Sequence, residues 1–190
     1  REELPAMSFR TFVGLASACV LMVLHTPVAS AQGNPVVVIE TSMGAITVEL
    51  FQDRAPISVE NFLGYVDAEH YDGSVFHRVI QTFMIQGGHF TPEMQSKPTR
   101  PPITNEAENG VNNDKYTLAM ARTGEINSAT DQFFINTVDN NFLNNGVRDF
   151  GYAVFGRVTD GTDVVDRIAA TPVTDTVPNE PVVIQSIRKQ

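Results

Sequence analysis

The sequence predicts a mainly β domain, either a closed antiparallel barrel or a sandwich. Three observations carry this expectation. Short β-branched and aromatic runs recur along the chain, Gly, Asn and Pro punctuate them, and a helical apolar period appears in only two places.

Val36–Glu40 and Ala45–Leu50 are β-branched runs flanking Ser42-Met43-Gly44, which reads as a hairpin turn. A helix should follow, with Pro56 near its start, Ser58 as N-cap and Val59, Phe62, Leu63 and Val66 on one face. Short strands are expected over Val75–Ile80, Phe83–Gln86, Tyr116–Ala121, Gln132–Thr137 and Tyr152–Val158. The second helix is expected over Thr162–Ala170, with Val164, Val165, Ile168 and Ala169 on one side, and a last strand over Val182–Ile187. Two long connections, Gly87–Lys115 and Val138–Gly151, are of the length that is usually functional or disordered.

With 190 residues, 42% of them hydrophobic, the chain can bury one sizeable core. Its formal charge of −9 argues against nucleic acid or an anionic membrane as the main partner, since both need a basic face. A single cysteine, Cys19, can build neither a zinc ribbon nor a disulfide scaffold.

Residues 1–31 read differently from the rest. Met7 has the place of a start, Arg10 of a short basic region, and Thr11–Leu24 of an apolar core; Ala29-Ser30-Ala31 has the form of a cleavage site. Together these make a secretory signal peptide, removed on export after Ala31. About 14 apolar residues fall short of the roughly 20 that span a bilayer, and the string before Cys19 lacks the Leu of a lipidation site. Residues 32–190 are then the functional domain, exported, free of cysteine and still at −9.

The usual catalytic signatures are absent: there is no G-x-S-x-G, no H-E-x-x-H, no Walker loop and no G-x-G-x-x-G. His70, His77 and His89 have no metal-ligand spacing and read as surface or packing residues, while Asp139-Asn140-Asn141 reads as a solvated turn. Two strings are unusual. In Phe76–Gly88 (FHRVIQTFMIQGG) a charged Arg78 sits among apolar residues, with Gln86 and two glycines at the end; Ser128–Asn136 (SATDQFFIN) has the same character.

Phe76–Gly88 resembles the signature of the cyclophilin family of peptidyl-prolyl cis/trans isomerases. The similarity extends over Pro35–Ile187, taking in RAPISVENFLGYV, SATDQFFI, FLNNG and GYAVFGRV, and is greatest to the bacterial periplasmic members. The resemblance implies an eight-stranded antiparallel barrel closed by two helices, with an active groove on its outside. It puts Arg78 at the family's catalytic arginine and Phe83, Met84, Phe134 and Leu143 in the pocket for the substrate proline ring. Gln86, Ala121 and Gln132 fall on positions that line the groove and bond the peptide backbone or the arginine. Phe142 stands where many eukaryotic members have Trp, Tyr152 where they have His and Arg122 where they have Asn. These departures bear on inhibitor binding and peptide preference.

The implied reaction is rotation about X–Pro bonds in unfolded or folding exported polypeptides, by a monomer. Rotation breaks no covalent bond, so it needs no nucleophile, metal or cofactor. The rival reading from the residues is a proline-peptide binder or holdase that uses the same groove without turnover.

Overall fold

The computed structural model describes Glu2, Glu3 and residues 33–190, so the signal-peptide reading of residues 7–31 lies outside the described residues. Among the described residues ten strands and two α-helices follow one another as β1 (Val36–Thr41), β2 (Gly44–Leu50), α1 (Pro56–Asp67), β3 (Ser74–Ile80), β4 (Met84–Gly87), β5 (Thr117–Met120), β6 (Phe133–Asn136), β7 (Val154–Asp160), α2 (Thr162–Ala169), β8 (Val173–Thr174), β9 (Val177–Pro178) and β10 (Val183–Lys189). Eight strands close an antiparallel barrel in the order β1-β10-β3-β4-β6-β5-β7-β2; β8 and β9 form a separate hairpin. Of the two architectures open to the sequence, the chain adopts the barrel, which leaves no unpaired sheet edge.

Side-chain alternation along the strands separates two apolar clusters. Phe76, Val79, Ile85, Leu118, Phe133, Ile135 and Phe155 point into the barrel, whose ends are covered by Val59, Phe62, Tyr65 and Val66 of α1 and by Val164, Val165 and Ile168 of α2. On the outer face Met84, Ala119, Phe134, Leu143 and Val154 form a second cluster. Strands β4, β5 and β6 are thus buried on both sides. That is why they read as nearly continuous apolar runs instead of alternating ones.

The first helix begins differently from the expectation. Ser58 is not its N-cap: Ala55 holds that position without a side-chain bond, and Ser58 is buried in the first turn. The cap comes from 48 residues away. Glu106 accepts hydrogen bonds from the Ile57 N–H (3.0 Å), the Ser58 N–H (2.7 Å) and the Ser58 hydroxyl (2.7 Å). A carboxylate there satisfies donors that the helix itself cannot, and its charge suits the helix N-terminus. The first long connection is therefore largely scaffold. The hairpin of β8 and β9 gave no turn signal because its central residues, Asp175 and Thr176, adopt positive φ (49° and 74°) without glycine.

The Asp139–Asn141 turn is solvated at Asp139 and Asn141 but not at Asn140, which is only 2% exposed. Its amide N–H group donates to the Phe83 carbonyl (2.8 Å) and to Asn136 Oδ1 (2.7 Å). Asn136 in turn donates to Asn113 Oδ1 and Thr117 Oγ1, and Asn144 Oδ1 accepts from the Asn113 N–H (2.7 Å). This buried amide network ties the 138–151 loop to β5 and β6. Gly151 closes the loop at φ +87°, where a Cβ would lie 2.7 Å from the Asn145 nitrogen.

The histidines pack, as expected, but two of them share an unexpected partner. Asp131 has a fully buried side chain, and its Oδ2 is 2.8 Å from both His70 Nε2 and His89 Nδ1. Burial raises the Asp131 pKa, and the hydrogen bonds from the two imidazoles outweigh it, leaving the carboxyl below its ordinary range. His77 is 8% exposed, lies edge-on to Phe90, and has no hydrogen-bond partner at Nδ1.

Two predictions follow from this packing. Asn140→Ala leaves the buried Asn136 Oδ1 without its donor and the Phe83 carbonyl with the Thr137 N–H alone, and should cost about 1–3 kcal/mol in urea unfolding, whereas the exposed Asn141→Ala should change stability by under about 0.5 kcal/mol. Equal effects would show that the amide network does not hold the loop. Burial pushes the His77 pKa down from 6.5 to about 4. Between those values the unfolded chain binds the proton and the native state does not, so stability falls as pH drops through that window. Wild type should therefore lose about 3 kcal/mol more than His77→Phe between pH 6.5 and 4; parallel curves for the two proteins would contradict the burial of a neutral imidazole.

Candidate active site

Strand register assembles the site. On the outer face, Arg78 of β3 is opposite Gln86 of β4, Gln86 is opposite Phe134 of β6, Phe134 is opposite Ala119 of β5, and Ala119 is opposite Val154 of β7. One cross-strand row thus runs from a cation through an amide to an apolar floor. Met84 flanks the row two residues from Gln86, and Gln132 flanks it two residues from Phe134, both by the two-residue period of a strand. Gly88, at φ +103°, turns the chain away directly after β4, where a Cβ would come within 2.9 Å of the Tyr71 ring.

Arg78, Phe83, Met84, Gln86, Ala121, Phe134, Leu143 and Tyr152 line one cleft of about 220 Å³, together with Arg122 and Arg148. Clefts that enclose a whole drug-sized ligand span roughly 300–1,000 Å³, so this one suits a single small ring with the rest of the ligand lying along the surface. Met84, Phe134 and Leu143 are buried and form its floor and wall. Gln132 lies outside this cleft, in an adjoining recess of about 230 Å³ that shares Gln86, Ala121 and Arg122 with it. The two recesses form one groove. Phe142 is also outside the cleft, 42% exposed, and stacks on Phe83 with ring centroids 5.6 Å apart.

The Arg78 guanidinium is held by neutral groups. Its Nη1 donates to Gln86 Oε1 (3.3 Å) and approaches Met84 Sδ (3.9 Å), and its Cζ lies 5.8 Å from the Phe83 ring centre. Gln86 is fixed in turn, its Nε2 donating to Gln132 Oε1 at 2.8 Å. Among the described residues no carboxylate pairs with Arg78. Its charge is therefore uncompensated at the side of a cleft whose floor is apolar and whose rim is polar.

Arg122, one of the departures seen in the sequence, folds back onto the barrel. It donates to the carbonyls of Gly151 (3.0 Å) and Thr123 (2.9 Å) and to Asp149 Oδ1 (2.9 Å), and it covers the Tyr152 ring at 4.5 Å. Tyr152 meets Phe134 edge-on at 5.8 Å. Arg148 and Asp149 escaped the sequence reading because nothing in an exposed V-R-D-F-G loop shows that it folds over a pocket. Among the described residues no group of three or more His, Cys, Asp or Glu is placed to hold a metal ion.

Comparison with known proteins agrees with this geometry. The family described as cyclophilin type peptidyl-prolyl cis-trans isomerase/CLD matches residues 36–189. The chain is 56% identical over 158 residues to peptidyl-prolyl cis-trans isomerase cyp18 of Streptomyces antibioticus, covering 79% of this chain and 95% of that one. It is 48% identical over 168 residues to peptidyl-prolyl cis-trans isomerase A of Dickeya dadantii, covering 86% and 88%. Among solved structures, a Cryptosporidium parvum cyclophilin type peptidyl-prolyl cis-trans isomerase superposes with a TM-score of 0.74 at 27% identity, covering 83% of this chain and 98% of that one. The barrel, the outer groove and these matches agree, and the chain is an enzyme of the cyclophilin-type peptidyl-prolyl cis-trans isomerase family.

Proposed function

We propose that this isomerase acts in the periplasm on proline-containing segments of folding exported proteins, as a monomer without a cofactor, and that Arg78 is its catalytic residue. The observation that carries the mechanism is the uncompensated Arg78 guanidinium, held by Gln86, itself fixed by Gln132, beside a ring-sized cleft with an apolar floor. In this reading Phe83, Met84, Phe134 and Leu143 grip the proline ring. Gln86, Ala121 and Gln132 align the peptide backbone along the groove, and Phe142 and Tyr152 form its edges.

The chemistry follows from amide resonance. In the planar ground state the prolyl nitrogen has no free lone pair, and twisting against a barrier of roughly 18–20 kcal/mol restores one. A cation that donates a hydrogen bond to that lone pair stabilises the twisted state and not the planar one, which is the condition for acceleration. Spontaneous exchange takes tens to hundreds of seconds, so reaching about 10²–10³ turnovers per second requires roughly 5.5–7 kcal/mol. A charge-assisted hydrogen bond contributes about 1.5–3 kcal/mol. Binding of the ring and desolvation of the amide supply the remainder. Arg suits the role better than Lys because its fork can bond Gln86 and the prolyl nitrogen together.

The export reading is supported by the grammar of residues 7–31. The subgroup assignment to bacterial periplasmic cyclophilins rests on that leader together with the acidic, compact domain that follows.

Arg78→Ala should lower kcat/KM on an Xaa-Pro peptide by at least about ten-fold with the fold retained, and Arg78→Lys should recover little of it. A folded Arg78→Ala protein with near-normal rates would favour the holdase reading. Expressed with its leader in a Gram-negative host, the protein should be found in the periplasmic fraction with Gln32 as its first residue. Retention in the cytoplasm with the leader intact would overturn the export assignment.

A further inference from the structure

Resting on the isomerase reading, we propose that the groove selects segments carrying an acidic side chain at a position flanking the X–Pro pair, and that Arg148 is the residue that recognises it. The observation is how positive charge is distributed around the cleft. Three guanidiniums line it, those of Arg78, Arg122 and Arg148, in a chain whose formal charge is −9. Each lies on an aromatic ring. Arg78 is 5.8 Å from Phe83, Arg148 is 5.4 Å from Phe142, and Phe83 and Phe142 stack on one another, so two cations bracket one aromatic pair. Arg122 covers Tyr152 on the other side.

Among the described residues, Asp149 is the carboxylate that pairs with Arg122 and Arg148. Asp149 Oδ1 is occupied by the Gly151 N–H (2.7 Å) and Arg122 (2.9 Å), while its Oδ2 reaches Arg148 at a longer 3.3 Å. Arg122 is fixed by three acceptors with its side chain 4% exposed, so it serves to hold Asp149 and the loop. Arg148 has a side chain 52% exposed and one long contact, and most of its N–H donors remain free. A guanidinium resting on an aromatic face is weakly hydrated and keeps its planar fork available, which is the arrangement that takes a carboxylate in two parallel hydrogen bonds. Arg157 has Glu49 and Arg188 has both Asp72 and Glu69, whereas Arg148 has only a share of Asp149, which Arg122 and the Gly151 N–H also use. The groove therefore draws an anionic side chain toward an otherwise acidic protein.

The test is a series of peptides identical except for Glu, Gln or Lys at the positions flanking Xaa-Pro, each read by kcat/KM and by NMR titration for Kd. Glu should be preferred over Lys by about three- to ten-fold at low ionic strength, and the preference should shrink in about 0.5 M salt, as an exposed charge pair requires. Arg148→Gln should flatten the series and Arg148→Glu should invert it, each read as the ratio of the Glu to the Lys peptide within one variant. Equal values for Glu and Lys in the wild type, or a preference unchanged in Arg148→Gln, would overturn the assignment. Absence of turnover with every peptide would instead sink the isomerase reading, and the titrations would still report whether Arg148 selects charge.

Discussion

Burial of β4, β5 and β6 on both faces is the constraint on which the rest depends. Their inward residues Ile85, Leu118, Phe133 and Ile135 belong to the barrel interior, and their outward residues Met84, Ala119 and Phe134 belong to a second core beneath the 138–151 loop. An apolar outer face on a barrel would ordinarily attract other chains. Here the loop covers part of it through Leu143 and leaves a ring-sized gap open. On its floor the gap inherits the rigidity of the sheet, because Arg78, Met84, Gln86 and Phe134 are placed by strand register, while Leu143, Arg148 and Tyr152 come from the loop and the segment that follows it.

The same register explains the arrangement of polar groups. Arg78, Gln86 and Phe134 are consecutive members of one cross-strand row, so amide and cation meet the apolar floor without any loop having to bring them together. Gln132 completes the row from the side by fixing Gln86. The loop needs its own anchor, and the buried Asn113–Asn136–Asn140–Asn144 network supplies it from beneath. Such a network is costly if half-satisfied and specific if complete. Aromatic and guanidinium contacts then arrange the rim above it, joining Arg122 to Tyr152 and Arg148 to Phe142.

Most of this architecture was legible in the sequence, and the failures have physical causes. The barrel strands appeared within about two residues of their ends because β-branched and aromatic runs bounded by turn residues are a local signal. The twelve-residue α1 was recognised by its apolar spacing, but its start was misassigned to Ser58 because the cap comes from Glu106. No local rule reports a cap supplied 48 residues away. Asn140 was read as solvated because Asp-Asn-Asn strings favour exposed turns, whereas here the amide is consumed by tertiary acceptors. At the site, Arg78, Phe83, Met84, Gln86 and Phe134 lie on two short strings, and Leu143 on a third. Arg148 and Asp149 come from a polar loop whose path over the pocket depends on long-range packing. Phe142 and Gln132, expected at the site, fall just beyond the ring-sized cleft, on its outer rim and in the adjoining recess.

The central claim is that Arg78 favours the twisted amide over both planar isomers, a statement about rotation and not about affinity. It is tested most directly by NMR on a single Xaa-Pro peptide, measuring the cis–trans exchange rate of the bound peptide and its Kd together in wild type and Arg78→Lys. The account predicts an exchange rate at least about ten-fold slower in the variant, with Kd within about two-fold of wild type. A Kd weakened in proportion to the lost activity, with bound-state exchange unchanged, would contradict it.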